Sequence, residues 1–319
     1  MGRYILHRLL ALIPVVIGVT FLIFCVVDMA PGDAISYKYA DSGLSREQLD
    51  EIRAEYDLDK SLFYRYGKYM WNVLHGNFGK SIQYGEDVLA MYMRRLPNTL
   101  WLAGCAALVC FILSLPLGVI AALKRGTVTD NACMVTGLLG LSMPNFWLGL
   151  LLMILFALKL GWLPASGAKS WDSVIMPAIT LGTGSMAVLS RTTRSAMLDV
   201  LREDYLRTAR AKGVDEKRVI MKHAFKNALI PILTVVGSQL AHMLGGSVVT
   251  ETVFTWPGVG KLILDGVNGR DTNVVVGALM LTTVGISIIQ LIVDILYAMV
   301  DPRIKARYTN RGKKKNEKK

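Results

Sequence analysis

Residues 203–213 read Glu203-Asp204-Tyr205-Leu206-Arg207-Thr208-Ala209-Arg210-Ala211-Lys212-Gly213 and lie between long apolar stretches. They contain no nucleophile–base pair and no metal-ligand spacing. Their chemistry is that of a surface offered to another macromolecule. Leu201, Tyr205 and Ala209 recur at i, i+4 and i+8, so a helix over 199–213 would carry a modest apolar stripe. Glu203 precedes Arg207 by four residues, the favourable order for a helical ion pair. Gly213 can take the left-handed conformation that ends a helix. Asp215 then caps a second basic helix with Arg218, Lys222, His223 and Lys226. An amphipathic helix lying on anionic lipid accounts for the arginines. The small residues Thr208, Ala209, Ala211 and Gly213, beside a protruding Tyr205, fit a groove in a protein better.

Other polar residues stand inside the apolar stretches. Val235, Gln239, His242 and Gly246 recur at i, i+4, i+7 and i+11, with Ser238 beside them. Such a face serves either hydrogen bonding between helices or the lining of a watery passage, and the passage is the expectation. Thr183, Ser190 and Arg194 form a weaker stripe of the same kind. Trp256, Pro257, Gly258 and Gly260 join a stiff proline to glycines. They form either part of an outer gate or a plain re-entrant turn with an interfacial Trp. Enzymatic and metal chemistry find no footing. His7, His75, His223 and His242 are far apart, and Cys25, Cys105, Cys110 and Cys133 fall in apolar stretches with no CxxC. Neither a catalytic residue nor a metal site is expected. Gly76–Ser81 ends in Gly-Lys-Ser, but a phosphate-binding loop needs a glycine where Leu74 stands and a strand before it, so no nucleotide site is expected.

The elements that must position these residues are membrane helices. Hydrophobic residues make up 53% of the 319 and charged ones 19%, below the ~25% of a soluble domain. Six stretches are long enough to span about 30 Å of hydrocarbon: about 9–29, 97–123, 131–158, 175–198, 228–250 and 274–300. The first lacks a small-x-small cleavage site and reads as a retained anchor rather than a signal peptide. With both termini in the cytosol, the inner segments hold 23 of the Lys and Arg residues and the two short outer loops hold 4. The net charge of +12 therefore reads as a topology signal plus attraction to anionic lipid. The Lys-rich end, Lys313–Lys319, lacks interleaved aromatics, and nucleic acid is not an expected partner.

The expected fold is an all-α membrane protein of six transmembrane helices with a helical extracytoplasmic insert between the first and second. The divisions are 1–29 for the N-terminus and first helix, 30–96 for the outer lobe, 97–300 for a five-helix core with a cytosolic loop at 199–227, and 301–319 for a basic tail. In the lobe, Ser45-Arg46-Glu47-Gln48 opens a helix through about Tyr56. A second helix covers Leu62–Leu74, with Tyr66, Tyr69, Met70 and Val73 on one face. Pro97 is placed in the first turn of the second span. Ala103-x3-Ala107 and Ser114-x3-Gly118 within that span allow close helix approach. A cation-coupled transporter would show a carboxylate pair at mid-membrane and broken helices in inverted repeats, and neither is evident.

Many short stretches, in order, resemble the permeases of ATP-binding-cassette (ABC) importers of the dipeptide/oligopeptide/nickel branch. They include Ala30-Pro31-Gly32-Asp33, Arg95-Leu96-Pro97-Asn98-Thr99-Leu100, Pro144-Asn145-Phe146-Trp147-Leu148-Gly149 and Gly161-Trp162-Leu163-Pro164-Ala165-Ser166-Gly167. Towards the end come Glu251-Thr252-Val253-Phe254-Thr255-Trp256-Pro257-Gly258-Val259-Gly260 and Asp294-Ile295-Leu296-Tyr297. The wider importer pattern Glu-Ala-Ala-x3-Gly stands here as Arg207-Thr208-Ala209-x3-Gly213. The resemblance implies a multi-pass protein of the bacterial inner membrane that binds no cofactor itself. Its partners would be a second homologous permease, two cytosolic ATPases holding ATP and Mg and docked at 203–213, and an extracytoplasmic solute-binding protein. The implied cargo is di- and oligopeptides, with nickel or a metal chelate as the alternative.

Overall fold

The computed structural model describes residues 2–300. Among these the fold is helical, with an isolated bridge between Lys80 and Asp87. The basic tail from residue 301 lies outside the described residues. Among the described residues four helices are long and apolar enough to cross a membrane: Leu10–Met29, Val88–Leu123, Glu216–Gly245 and Thr272–Ile295. Two bent helix pairs pass the same test of length and apolarity when each is taken together. Val128–Ser142 meets Asn145–Lys159 at 96°, and Trp171–Gly184 meets Met186–Leu201 at 54°. With each pair counted as one span the total reaches the six expected, and the stretches expected as the third and fourth spans are each bent rather than continuous. Pro144 causes the first break, because the residue before a proline is pushed out of the helical region. Met143 is accordingly extended, at φ −86° and ψ 125°. The second break falls at Ser185, next to Gly182 and Gly184.

The helices are α1 (Gly2–Met29), α2 (Ala34–Lys38), α3 (Arg46–Glu55), α4 (Leu62–Leu74), α5 (Val88–Leu123), α6 (Val128–Ser142) and α7 (Asn145–Leu152). After them come α8 (Ile175–Gly184), α9 (Met186–Leu201), α10 (Asp204–Ala211), α11 (Glu216–Arg218), α12 (Lys226–Val253), α13 (Val259–Asn268) and α14 (Thr272–Val300). π-Helical turns at Met153–Lys159 and Val219–Phe225 continue α7 and join α11 to α12. The second span begins earlier than expected. α5 starts at Val88, so Pro97 lies inside the helix and not in its first turn.

The chain forms two compact units. One contains Leu6–Thr99 and Trp256–Ser287; the other is built on Leu100–Thr255 and takes in α14 from Ile288. In the first unit, α3 opens on the expected capping box. Ser45 Oγ accepts from the Gln48 amide, and Gln48 Oε1 accepts from the Ser45 amide at 2.9 Å. α4 has the expected bounds, and its Tyr66, Tyr69, Met70 and Val73 pack on Phe24 of α1 and Val276 of α14. Val88, Met91 and Tyr92 pack against Val259, Leu262, Val274 and Ala278. Asp271 fastens the segment after α4, accepting from Ser81 Oγ at 2.6 Å and from the Gln83 amide at 3.1 Å. The residue-30–96 insert is therefore not a free-standing lobe; α1, α13 and α14 complete its core.

In the second unit, α5, α6, α8 and α9 touch backbone to backbone. A Cβ added at Gly118, Gly140 or Gly182 would lie 2.6, 2.7 or 2.5 Å from the carbonyl oxygen of Ser190, Thr183 or Ala106. Ala103, Ala107 and Ser114 are buried along the same contact, as their spacing anticipated. Small residues are what permit such approach where lipid supplies no hydrophobic drive.

Candidate functional site

Residues 202–226 form an elbow between α9 and α12, and its details differ from the sequence expectation. No single helix covers 199–213. α9 stops at Leu201, Glu203 is an extended N-cap residue, and α10 restarts at Asp204. The interruption resets the helical phase. Leu206, fully buried, is therefore the anchor, while Tyr205 is exposed and Ala209 half-buried. It also takes Glu203 out of register with Arg207, whose Nη1 instead lies 4.0 Å from Asp204. The end of the helix is as expected. Gly213 has φ +78°, its amide donates to the Arg210 carbonyl, and Val214 N donates to the Ala209 carbonyl.

The return strut begins where Asp215 Oδ2 accepts from the Lys217 amide at 3.1 Å. Arg210 clamps Glu216 with Nη2 at 2.8 Å and Nε at 3.0 Å, bracing α10 against α11. Tyr205 does not protrude freely. Its hydroxyl accepts from Asn227 Nδ2 at 2.9 Å, and that amide also donates to the His223 carbonyl at 2.8 Å. From Glu216 to Val253 the chain is one unbroken helical rod through the π-helical turn. α10 thus hangs between two rods, α9 and the 216–253 rod. Arg207, Lys212, Ala211 and Gly213 face outward, and the Thr208 hydroxyl donates back to the Asp204 carbonyl.

The proposed passage residues separate into two groups. On α12, Ser238 and His242 are exposed and Val235 and Gln239 half-buried, with the buried Ile232 adjoining Val235, the buried Met243 adjoining Gln239 and the buried Ala241 adjoining Ser238. Gly246 continues that register on the same helix. On α8 and α9 the picture is one of packing. The Ser190 hydroxyl is buried and donates to the Met186 carbonyl at 2.7 Å, under Gly137. Thr183 Oγ1 donates to the Ile179 carbonyl at 2.8 Å. Arg194 closes a bidentate pair with buried Asp130 at 2.7 and 2.6 Å, and the Gly126 amide donates to the same carboxylate at 3.0 Å. This pair ties α9 to the start of α6.

Trp256–Gly260 is a pinned turn. Trp256 is buried and its Nε1 donates to the Asn98 carbonyl at 3.0 Å. Asn98 Nδ2 donates to the Pro257 carbonyl at 2.9 Å, and the Val259 amide donates to Thr99 Oγ1 at 2.8 Å. Gly258 has φ −101°, an extended backbone, and Gly260 is buried inside α13, so neither glycine marks a loose joint.

Sequence reasoning missed three features. The breaks of the two bent pairs meet: a Cβ at Gly184 would lie 3.2 Å from Asn145 Oδ1, and Gly140 abuts Thr183. The Pro144 signal was available, and the break at Ser185 had the weaker one of Gly182 and Gly184. The second is Leu206, hidden by the phase shift. The third is Glu251, fully buried near the end of α12, with Ser247 Oγ 3.1 Å from its Oε1. Among the described residues no three His, Cys, Asp or Glu side chains gather as a metal site.

Comparison with known proteins agrees with this architecture. Residues 114–306 match the family "Binding-protein-dependent transport system inner membrane component", and residues 1–103 match its N-terminal companion. The chain is 40% identical to the oligopeptide transport system permease protein AppB of Bacillus subtilis, over 95% of this chain and 99% of that one. It is 39% identical to the dipeptide permease DppB of Escherichia coli K12, over 96% and 99%. It is 40% identical to the glutathione permease GsiC of Escherichia coli K12, again over 96% and 99%. The inward-facing methionine ABC transporter MetNI shares the fold, with a TM-score of 0.56 at 19% identity over 67% of this chain and 97% of that one. A helical chain with two bent helix pairs, a short elbow helix and end-to-end matches to transport permeases belongs to the binding-protein-dependent transport system inner membrane component family, as a membrane permease subunit of an ABC importer and not an enzyme.

Proposed function

We propose that this permease conducts di- and oligopeptides inward after release from an extracytoplasmic solute-binding protein. The observation that carries the reading is the set of relatives named for oligopeptides, dipeptides and glutathione at 39–40% identity over nearly the whole chain. Two cytosolic ATPases, which hold ATP and Mg, dock at the elbow, and a second homologous permease completes the pathway. Both termini are cytosolic and the residue-30–96 insert faces out. Motor closure presses on α10, and the load passes chiefly into the 216–253 rod, because Tyr205–Asn227 and Arg210–Glu216 tie α10 to it and Leu206 holds α10 buried at its base. The α12 face with Ser238, Gln239 and His242 lines the passage. The pinned Trp256–Gly260 turn is the stationary half of an outer gate. ATP shifts the inward–outward equilibrium only through contacts that differ between the two states.

The test is uptake in a strain lacking the gene, with and without the gene restored, comparing labelled di- and oligopeptides, glutathione and nickel ions. Restored peptide uptake is expected. Restored nickel uptake without peptide uptake would overturn the cargo and leave the mechanics in place.

A further inference from the structure

We infer that α4 is an interfacial helix, its outward face sunk among the acyl chains of the leaflet on the insert's side. The outward residues are Phe63, Tyr64, Gly67, Trp71 and Leu74. At 3.6 residues per turn they fall in one arc of about 100°. Phe63 and Leu74 are each 75% exposed and Trp71 65%. A solvated helix would carry charge there. The charges instead lie on the opposite flank, where Arg65 pairs with Asp28 and Lys68 with Asp57, and Asn72 lines the same polar hollow. α4 thus has two apolar faces and one polar strip.

Its depth follows from what it packs on. Phe63 stacks on Phe21, with ring centroids 6.0 Å apart, and Tyr69 meets Phe24. Those two residues stand eight and five positions short of Met29, the outer end of the first span, or about 12 and 8 Å below it at the helical rise of ~1.5 Å. Val276, also against α4, is about 6 Å inside α14 by the same rise. A helix at this level beside two membrane spans lies where interfacial helices bury their apolar faces, about 5–10 Å into the headgroup and acyl boundary. The aromatic Tyr64 and Trp71 suit the headgroup level. The occupant is therefore lipid, and the insert is partly a membrane-bound element rather than a solvated lobe.

The test places nitroxides one at a time at Phe63, Trp71, Leu74 and, as a control, exposed Glu47, in the full chain with Cys25, Cys105, Cys110 and Cys133 replaced by Ala. The transporter is assembled with its other subunits in phosphatidylethanolamine–phosphatidylglycerol vesicles. Collisions with oxygen should exceed those with a water-soluble nickel chelate at 63, 71 and 74, most strongly at 63, and fall below them at 47. Nickel-dominated collisions at 63 and 74 would overturn the inference in favour of water. Exclusion of both reagents there would overturn it in favour of a protein partner. If the cysteine-free chain does not assemble, a photo-reactive benzoylphenylalanine at Leu74 in the unaltered background decides: a phospholipid adduct supports the inference, and a protein adduct or none overturns it.

Discussion

Truncating Leu206 to alanine isolates the mechanical role of the elbow. Leu206 is fully buried while most of α10 faces outward, so it is the main apolar tie of an eight-residue helix. A helix that short is unstable in water by itself, because nucleation is costly and few hydrogen bonds follow. Removing a buried leucine side chain costs about 2–5 kcal/mol. Even the lower figure shifts the docked-to-undocked ratio about thirtyfold, since ~1.4 kcal/mol is a factor of ten. Hydrogen exchange on the reconstituted full chain reads this directly. The amides of Lys212, Gly213 and Val214, which donate to Thr208, Arg210 and Ala209, should lose protection by about that factor. The amides of α12 should be unchanged. Solute uptake should fall while the protein still inserts. Unchanged protection of 212–214 together with unchanged uptake would refute the claim that α10 transmits load through its anchor.

Four other outcomes are expected. Ala209→Arg puts a bulky cation on the half-buried side of α10 and should abolish co-purification of the ATPases while membrane insertion survives; normal co-purification would remove the elbow as their dock. Cysteines at Gln239 and His242 should react with a water-soluble thiol reagent in at least one nucleotide state, and complete protection in all states would place that face against lipid or protein. Gly182→Ala sets a methyl 2.5 Å from the Ala106 carbonyl, where backbone cannot yield as a side chain can, and should lower the Tm by the equivalent of about 1–3 kcal/mol. Acid should loosen α2 and α3: burial raises the Asp33 pKa, but hydrogen bonds from Ser36 and Arg53 outweigh it and hold it below 3.8. A depressed carboxylate contributes stability that is complete above its unfolded pKa and fades as pH falls through the folded one. Exchange protection of 34–38 and 46–55 should therefore be flat from neutral to about pH 5 and drop below about pH 4, with a weaker drop in Asp33→Asn.

What could be read in the residues was mostly local. Ser45-x-x-Gln48 carries its cap within one turn and Tyr66, Tyr69, Met70 and Val73 mark one face, so α3 and α4 were readable to a residue or two. Apolar length located the crossings, because hydropathy needs no knowledge of neighbours. It could not reveal the bends: Pro144 was visible but read as part of a continuous span, and Gly182 and Gly184 before Ser185 weaken a helix without by themselves ending it. The elbow was recognisable by its small residues and Gly213. Its inward side was misjudged because Arg202-Glu203, which interrupts the helix, contains neither Gly nor Pro. The hold of Trp256 on Asn98 joins residues 158 positions apart, and such pairings leave no trace in spacing.

The glycine contacts that join α5, α6, α8 and α9 also bear on temperature. A soluble core loses cohesion on cooling because its driving force is the release of water. Where Gly118, Gly140 and Gly182 let backbones meet within lipid, there is little water to release, and the attraction is dispersion between atoms already in contact. The cohesion of this helical block should therefore change little in the cold. The small cluster of Ala34, Ile35 and Ile82, with Leu49 and Ile52 against it, depends on water and would weaken. Chilling a transporter of this kind would soften the insert before it touched the membrane block.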